Sequence, residues 1–260
     1  MSLAMLSSVW EIFLIGTSRI RKKNITKIKD KHGGFMKQIK IGAITIGQTP
    51  RTDISKDILP ILPQNITLVE YGALDEMMYD DVMSHFHPQP GDEVLVSRMR
   101  DGKQVQLTDR FIIPLVQKKI DLAETEGVLA IILFCTGVFP EFRHHVLLLK
   151  PQPLFHAIAA KLADGQKIGV LVPNQDQIMQ AYHTWNMSGI QIIAVSVSPY
   201  LESDKVIEAA TYLKAKGVSF ICADCMGYSL NMKHHIQEIT GIPVLLPRTL
   251  IVRILCEMFD

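Results

Sequence analysis

The apolar positions downstream of Met36 fall into short continuous runs that alternate with segments of helical periodicity. Runs such as Ile39–Ile46 and Val128–Phe134 have the length and composition of buried strands. After Thr108 the apolar positions recur on one helical face until Gly127, a residue type that commonly ends helices. Strands that alternate with helices indicate βαβ units and parallel sheets. The chain is therefore predicted to be an α/β protein.

Two segments repeat the same apolar pattern and carry a cysteine at the same place. Gly127–Gly137 aligns without a gap on Gly217–Gly227, and each copy ends in Cys-X-Gly after an apolar run. A second echo pairs Lys40–Thr45 with Lys167–Val172. Ser203 is predicted to cap the helix that leads into the second copy. The repeat predicts two pseudo-symmetric α/β lobes with parallel-type sheets and an active-site cleft between them.

The predicted domain boundaries follow from this repeat. The first lobe spans residues 36–150 and includes a hairpin at 94–107, where Asp101-Gly102 is typical of a two-residue turn. This hairpin is a candidate lid or dimer arm. The second lobe spans residues 151–246. The C-terminal helix, residues 247–260, is a candidate for completing the first lobe.

Residues 1–35 differ in composition from the rest of the chain. Leu3–Gly16 is apolar but is interrupted by Glu11, and it is too short to cross a bilayer as a helix. A signal peptide carries its positive charge first, whereas here the basic residues follow the apolar stretch: Arg19, Arg21, Lys22, Lys23, Lys27, Lys29 and Lys31. We predict an N-terminal extension outside the core fold, with a basic amphipathic membrane anchor as the alternative.

Composition and charge narrow the class of partner. The 260 residues are 48% hydrophobic and 20% charged, with a formal net charge of +1. Such a balance is ordinary for a globular protein and favours neither nucleic acid nor membrane as partner. Four cysteines without a secretion signal indicate a reducing compartment, so we expect a cytoplasmic protein with free thiols. A small carboxylate or other small anion is the expected partner, and a homo-oligomer stays open.

The paired cysteines are the first candidates for chemistry. Cys135 and Cys225 follow predicted strand ends, where open α/β sheets bind ligands. There, the free amides of a following helix would favour the thiolate. Two such groups flanking one carbon can remove a proton from one face and return it to the other. The alternative is that both are core residues, since free cysteine is often buried. Their matching positions favour the functional interpretation.

A metal site has little support. Cys222 and Cys225 form a C-x-x-C, and His234 and His235 lie nearby. However, a structural zinc site needs four ligands, and the chain has no second C-x-x-C. We therefore predict no metal and no cofactor, and we assign Cys256 to packing on the last helix.

The loop after the first strand is a candidate anion site. Thr45–Asp53 places hydroxyls, an amide and a guanidinium at a strand-to-helix junction, with Thr49-Pro50 as N-cap and first helical residue. The alternative is a capped helix in which Arg51 is solvated or paired with Asp53. The chain has no G-x-G-x-x-G or P-loop, so nucleotide binding is poorly supported.

Three motifs resemble the AroM family, within the broader aspartate/glutamate/hydantoin racemase superfamily. They are Thr45–Asp53, Cys135–Pro140 and Asp224–Tyr228, and the resemblance covers the chain from Met36 onward. It implies two α/β lobes with the active site between them. It also implies cofactor-independent racemisation with one cysteine on each side of the substrate α-carbon, here the paired cysteines. Related members use one or both positions for decarboxylation or for cis–trans isomerisation of a diacid.

Two departures from the superfamily bear on the substrate. Amino-acid racemases commonly follow the first cysteine with Asn and the second with Thr-His, where this chain has Thr136 and Met226. The difference argues against an ordinary α-amino acid and favours a small carboxylate or hydantoin-like substrate.

We therefore predict a cofactor-independent racemase or isomerase in which Cys135 and Cys225 transfer protons. The alternatives are a single-cysteine decarboxylase or lyase, and a non-catalytic small-anion-binding protein linked to aromatic amino-acid metabolism. The predicted substrate-binding residues are Thr45, Gln48, Thr49, Arg51, Thr136, Gly137, Asp224, Gly227, Tyr228 and Ser229.

Overall fold

The computed structural model describes residues 27–29, 35–202 and 204–259. The chain divides into two compact units, Met1–Ile39 and Lys40–Asp260.

Two short strands are described upstream of residue 38. They are β1 (Lys27–Lys29) and β2 (Phe35–Lys37), which pair antiparallel. The remainder of the predicted extension, including Leu3–Gly16, lies outside the described residues, as does the predicted helix cap Ser203. That residues 1–35 stand apart from the core fold stays a prediction.

The rest of the chain is built around two four-stranded sheets with the same strand order. In each sheet the first strand is central, the second lies on one side of it, and the third and fourth follow on the other. The first sheet has the order β4 (Ile66–Gly72), β3 (Ile39–Thr45), β7 (Ala130–Leu133), β8 (Leu147–Leu149). The second has the order β10 (Ile192–Ser196), β9 (Ile168–Val172), β11 (Ile221–Ala223), β12 (Val244–Leu245). The predicted α/β fold with two pseudo-symmetric lobes is confirmed.

The strand register repeats as well as the strand order. Gly42 of β3 lies opposite Ile131 of β7 in a parallel pair. Gly169 of β9 lies opposite Ile221 of β11, also in parallel. Because Ile131 and Ile221 are equivalent in the sequence repeat, the two lobes pair the same positions. The duplication therefore extends from the cysteine segments to the central strands.

The central glycine of each sheet faces the helix that precedes the third strand. A Cβ at Gly42 would lie 3.5 Å from the Ala123 side chain, and one at Gly169 only 2.8 Å from Leu213. Ala123 and Leu213 belong to the helices that precede the third strand of each sheet. The close approach of the helix requires glycine at position 169, whereas a Cβ at Gly42 would make an ordinary contact with Ala123.

Helices connect the strands and cover the sheets. They are α1 (Thr52–Ile58), which continues into a 3₁₀ turn (Leu59–Ile61), α2 (Tyr79–His85), α3 (Asp109–Thr125), α4 (Pro151–Ala163), α5 (Gln177–Met187), α6 (Val206–Ala215), α7 (Leu230–Thr240) and α8 (Pro247–Phe259). Among the described residues, none of the helices is long and apolar enough to span a bilayer. Helix α8 packs against α1 and α4. The lobe boundaries at residues 150 and 246 stay predictions.

The second sheet buries different side chains on its two faces. Cys222 packs with Phe155 and Trp185 in one apolar cluster. Cys225 belongs to the cluster on the other side, with Tyr228 and Leu246. This separation follows from the alternation of side chains along an extended strand. The two sulfurs of the C-x-x-C therefore do not form one site.

Helix α1 begins later than predicted. The sequence favoured Thr49 as N-cap and Pro50 as the first helical residue, but α1 begins at Thr52 with Arg51 at the N-cap. The Thr49–Pro50 peptide bond is cis. The Thr49 hydroxyl donates to Asp75 instead of capping the helix, at 2.9 and 3.0 Å from the two carboxylate oxygens. The turn that precedes α1 is therefore held by a neighbouring loop.

The hairpin is present, but its turn differs from the prediction. Strands β5 (Val94–Arg98) and β6 (Gln104–Thr108) pair antiparallel. The Met99 amide donates to the Lys103 carbonyl at 2.8 Å, which leaves three residues in the loop. Gly102 has φ +95°, as a three-residue loop that ends in a left-handed residue requires.

Candidate active site

The two paired cysteines lie at corresponding strand ends. Cys135 is two residues beyond β7, and Cys225 is two residues beyond β11. Both thiols line one small cavity of about 20 Å³ at the carboxyl ends of the two sheets. The polar or charged side chains that line it with them are Arg51, Ser97, Thr136, Gln177, Tyr200 and Asp224. The structure therefore brings the predicted catalytic pair together.

Each thiol accepts a hydrogen bond from the glycine two residues further on. The Gly137 amide lies 3.3 Å from Cys135 Sγ, and the Gly227 amide lies 3.3 Å from Cys225 Sγ. The second glycine also leaves room for a cavity wall, because a Cβ there would lie 2.6 Å from the ring of Tyr200. The Cys-X-Gly motif thus forms the same thiol–amide unit in both lobes.

Burial governs the acidity of both thiols. It raises the pKa of Cys135 to about 12, with the Gly137 amide opposing the shift. It also raises the pKa of Cys225, where the Gly227 amide and the Tyr200 hydroxyl favour the thiolate. The expectation that helix amides make both groups thiolates is wrong here. The chain between β7 and β8 contains no helix, and α7 starts only at Leu230.

Arg51 is buried, and its guanidinium is already engaged. Its Nε and Nη2 atoms donate to the two carboxylate oxygens of Asp53 at 2.9 and 2.8 Å. Nη1 donates to Thr45 Oγ1 at 2.9 Å, and Nη2 also reaches the Tyr200 hydroxyl at 3.2 Å. Four of its five N–H groups are used. Of the two interpretations of this loop, the structure has the Arg51–Asp53 pair.

Arg51 and Asp53 each stabilise the charged form of the other side chain. Burial lowers the pKa of Arg51, but Tyr200 and Asp53 outweigh it and raise the pKa overall. Burial likewise raises the pKa of Asp53, but the Arg51 guanidinium outweighs it and lowers that pKa. The wall of the cavity therefore carries an ion pair whose charges are largely compensated.

On the opposite wall, Asp224 is held by two aromatic side chains. Its Oδ2 accepts from Trp185 Nε1 at 2.8 Å and from His156 Nε2 at 3.4 Å. The two rings stack with centroids 3.7 Å apart. The Gln152 amide lies 3.2 Å from His156 Nδ1, which leaves the ring proton on Nε2. Thr136 Oγ1 donates to the Asp224 carbonyl at 3.2 Å and joins the two cysteine segments.

The hairpin forms a further wall. Val94 of β5 exchanges hydrogen bonds with two amides of α5: Gln177 Nε2 donates to its carbonyl at 2.9 Å, and its amide donates to Gln180 Oε1 at 3.1 Å. Ser97, three residues along the same strand, lines the cysteine cavity. The hairpin is thus fastened across the site in this conformation.

Three buried side-chain oxygens in the described part of the chain have no hydrogen-bond partner in the protein. They are Ser97 Oγ, Gln177 Oε1 and Asp224 Oδ1. All three belong to residues that line the cysteine cavity. Because buried polar atoms are almost always paired, this concentration indicates a site for a polar ligand.

The cysteine cavity shares lining residues with a neighbouring cavity, which in turn shares others with an open groove. Thr136 and Asp224 line both the cysteine cavity and the neighbouring cavity of about 40 Å³. The far wall of that cavity includes Val138, His156 and Thr184, which also border an open groove of about 870 Å³.

Three predicted substrate-binding residues of the first loop do not line the cavity: Thr45, Gln48 and Thr49. The Thr45 hydroxyl instead accepts from Arg51 Nη1 at 2.9 Å. The Gln48 side-chain amide donates to the carbonyls of Leu74 and Met77 at 3.0 and 2.9 Å. Thr49 bonds to Asp75 through both its amide and its hydroxyl. Gln48 and Thr49 fasten the loop after β3 to the loop after β4.

Two predicted residues of the second loop are likewise occupied elsewhere. The Tyr228 hydroxyl is buried and donates to the Val197 carbonyl at 2.6 Å. Ser229 is the N-cap of α7, and its hydroxyl accepts from the Met232 amide at 3.2 Å.

Three residues of the cavity were not predicted from the sequence: Tyr200, Ser97 and Gln177. Tyr200 follows β10, so the rule that ligands bind beyond strand ends would have included it. Ser97 lies inside a hairpin strand and Gln177 at the start of a helix, and neither position carries a sequence signal.

No metal cluster is found in the part of the chain that the structure describes. None of its His, Cys, Asp and Glu residues form a group of three or more that could hold an ion. Cys222 is fully buried, and His234 and His235 are exposed on α7. Cys256 is buried and lies 3.6 Å from the Ile61 carbonyl, as its predicted packing role requires.

Comparison with known proteins places the sequence and the fold. The sequence matches the family described as AroM protein over residues 41–259. No curated protein matches it. A variant of Nocardia farcinica maleate cis-trans isomerase with a covalently bound succinylcysteine intermediate is similar in structure, with TM-score 0.54, 14% identity and coverage of 85% of this chain and 93% of that one.

Two further solved structures share the fold. For Picrophilus torridus aspartate racemase the TM-score is 0.53 and the identity 12%, over 85% of this chain and 94% of that one. For arylmalonate decarboxylase the values are 0.50 and 10%, over 84% and 91%.

Proposed function

The chain belongs to the AroM family, and from this premise we propose that it is an enzyme that moves a proton at an acidic carbon without a cofactor. Cys135 and Cys225 would be the acid–base pair. The observation that carries the proposal is that these two thiols, from equivalent positions of two lobes, line one small cavity. The fold is shared with proteins named as racemases, isomerases and decarboxylases.

The proposed reaction needs no reactant other than the substrate and the two cysteines, because one thiolate accepts a proton and the other thiol supplies one. The Cys225 thiolate takes the proton from the substrate carbon, and the electron pair moves into the neighbouring carbonyl. The Cys135 S–H then gives its proton to the opposite face of that carbon. Cys225 ends as the thiol and Cys135 as the thiolate, which serves the reverse direction or exchanges with solvent.

Cys225 is assigned as the base because its surroundings favour the thiolate more. It has the Gly227 amide at 3.3 Å and the Tyr200 hydroxyl at 3.9 Å. Cys135 accepts from the Gly137 amide, and a negative charge on Cys225 further raises the pKa of Cys135. A proton therefore leaves Cys225 first.

The substrate class we propose is a small carboxylate or a hydantoin-like ring. The cavity is small, and most of its polar groups belong to strand-end loops, with Ser97 added from the hairpin and Gln177 from α5. The remaining N–H of Arg51 is the donor we propose for holding a carbonyl or carboxylate, because the Thr136 hydroxyl and the Gly137 amide already donate within the protein. The proteins of similar fold are named for compact compounds: maleate, aspartate and arylmalonate.

Hydrogen exchange at carbon tests the proposal. Small carboxylates and hydantoins are first screened by thermal shift, since a ligand raises apparent stability by mass action. Ligands that bind are then incubated with the enzyme in heavy water, and deuterium at the acidic carbon is measured by NMR. We expect Cys135→Ser and Cys225→Ser each to slow exchange by about 10²–10⁴-fold. Cys256→Ser, a buried cysteine outside the cavity, is the matched control. Exchange that is unaffected by either active-site change would remove the acid–base assignment.

A single-cysteine decarboxylase or lyase is the second candidate, favoured by the unequal surroundings of the two thiols. It requires only Cys225. It predicts carbon dioxide release or elimination that survives Cys135→Ser, with ligand protection of one thiol against alkylation. Stabilisation by ligand that survives both replacements, with no turnover, would instead support a small-anion-binding protein.

A further inference from the structure

The unpaired oxygens of the cavity are mostly hydrogen-bond acceptors. Asp224 Oδ2 is occupied by two ring N–H groups, whereas Oδ1 has no protein partner. Gln177 Oε1 also has none. Its orientation is fixed, because Nε2 donates to the Val94 carbonyl at 2.9 Å and a flipped amide would place oxygen against oxygen.

The cavity offers few free donors in return. The Arg51 guanidinium uses four of its five N–H groups within the protein. The Thr136 hydroxyl donates to the Asp224 carbonyl. The charge of Arg51 is paired with that of Asp53, whereas Asp224 has the His156 ring on Oδ2 at 3.4 Å and, among the described residues, no partner on Oδ1. A ligand carrying two carboxylates would therefore bring further negative charge beside the Asp224 carboxylate.

We propose that the cavity selects a compact substrate that carries at least two N–H bonds beside its acidic carbon. One N–H would donate to Asp224 Oδ1 and the other to Gln177 Oε1. This inference rests on the proposed function for the position of the acidic carbon between the thiols. The chemistry that fits is a ureide, an amide or a primary ammonium. A diacid without N–H groups does not fit.

Matched ligands test the donors directly. The probes are 5-methylhydantoin, its 1,3-dimethyl derivative, alaninamide and maleate, with affinities measured by calorimetry on the full chain. We expect 5-methylhydantoin or alaninamide to bind at least about tenfold more tightly than the dimethyl derivative and maleate, because each lost N–H leaves a buried acceptor unpaired. The hydantoin and alaninamide arms separate a ureide from an ammonium.

A charge-neutral substitution tests the acceptor. Asp224→Asn keeps an oxygen for Trp185 and His156 but turns the free position into an N–H donor. We expect this variant to lose about tenfold in affinity for the N–H probe, while maleate binds no more weakly than before. Should the variant fail to fold, Gln177→Met gives an independent test.

Gln177→Met removes one acceptor and has a matched control one helical turn away. Gln180 also bonds to Val94, but both its side-chain groups are paired and it does not line the cysteine cavity. We expect Gln177→Met to weaken binding of the N–H probe about tenfold and Gln180→Met to leave it nearly unchanged.

Several outcomes overturn the inference. They are equal binding of the hydantoin and its dimethyl derivative, tighter binding of maleate than of either N–H probe, and no binding of any N–H probe at millimolar concentration. Selective binding without carbon exchange would support the ligand class and count against the proposed proton transfer. Cysteine-dependent exchange on a substrate without N–H groups would overturn the ligand class and leave the proton transfer standing.

Discussion

The two cysteine loops share one geometry and differ in what surrounds it. In both, the thiol lies two residues beyond its strand and accepts a hydrogen bond of 3.3 Å from the next glycine. The residue before the cysteine differs: Phe134 in the first loop and Asp224 in the second. A common backbone thus carries an apolar neighbour on one side and a carboxylate on the other.

The contacts that hold the two loops in place also differ: they are apolar after Cys135 and polar after Cys225. After Cys135 the chain is held by aromatic packing, with the rings of Phe139 and Phe142 5.9 Å apart. After Cys225 it is held by a buried cation, because Arg248 donates to the Met226 carbonyl. The two copies therefore share the thiol–amide hydrogen bond, whereas the surrounding side chains give the two thiols different pKa values and hold the two loops by different contacts.

Removing Arg248, which holds the second cysteine loop and also binds α1, should have the largest effect. Its Nη1 donates to Asp57 Oδ2 and to the Asp53 carbonyl, each at 2.7 Å. Arg248→Met leaves the partly buried carboxylate of Asp57 without its cation. We expect the free energy of unfolding to fall by about 3–5 kcal/mol, measured by urea denaturation.

Two controls bracket this prediction. Arg143→Met breaks an exposed ion pair with Asp121 and should cost less than about 1 kcal/mol. Phe142→Leu keeps the first loop apolar and should cost about 1.5 kcal/mol or less. If Phe142→Leu destabilises the protein as much as Arg248→Met does, the two loops are not fastened by different means.

The pKa values of the two thiols can be distinguished by measuring the free energy of unfolding at alkaline pH. Burial raises the pKa of Cys135 from its ordinary 9.0 to about 12, so the folded protein keeps a proton that the unfolded chain loses. The stabilisation from the neutral thiol is complete below pH 9 and is lost as pH rises toward 12. Above pH 9, we expect the difference in the free energy of unfolding between the wild type and Cys135→Ala to shrink by as much as about 1.4 kcal/mol per pH unit.

The same measurement on Cys225→Ala sharpens the contrast. Burial also raises the pKa of Cys225, but the Gly227 amide and Tyr200 oppose it, so its alkaline loss should be shallower. Urea denaturation from pH 7 to 10 gives both slopes. A steeper slope for Cys225 than for Cys135 would reverse the assignment of base and acid.

The paired cysteines and the two similar lobes could be predicted because the duplication is visible in local apolar patterns. Gly42 and Gly169 match in the sequence echo, and in the fold they share one register. The pairing of Arg51 with Asp53 was not decidable from the sequence, because burial decides whether a guanidinium binds a neighbour or an external anion. The resting protonation of Cys135 depends on the same burial.

Contacts between distant segments were out of reach for the same physical reason. Ser97 enters the cavity because the hairpin is tied to α5, and that tie joins residues far apart in the chain. Tyr200 reaches Cys225 through the path of a loop after β10. Local periodicity carries no information on such contacts, since many loop paths suit the same strand and helix.

Tyr200 is the group that most distinguishes the second thiol. Its hydroxyl lies 3.9 Å from Cys225 Sγ and accepts from Arg51 Nη2 at 3.2 Å. Tyr200→Phe removes a donor to the thiolate, so the pKa of Cys225 should rise further. We expect alkylation of Cys225 by iodoacetamide to slow several-fold at fixed pH, with Cys135 nearly unchanged, as followed by peptide mass spectrometry. Equal slowing at both cysteines would mean that the change acts by closing the cavity.

Replacing Ser97 should have the smallest effect. Among the described residues, its Oγ is the one unpaired oxygen of the cavity that comes from the first lobe. Ser97 Oγ is buried without a partner, so in the free protein it contributes an unmet desolvation cost. Ser97→Ala should therefore raise the free energy of unfolding by about 1 kcal/mol in the absence of ligand. The same change should reduce the stabilisation that a bound ligand gives, because the hydroxyl pairs only in the complex. If Ser97 had a purely structural role, Ser97→Ala would lower the free energy of unfolding both with and without ligand. Thermal and urea denaturation with and without ligand separate the two cases, and a less stable free variant would show that Ser97 serves the fold rather than the site.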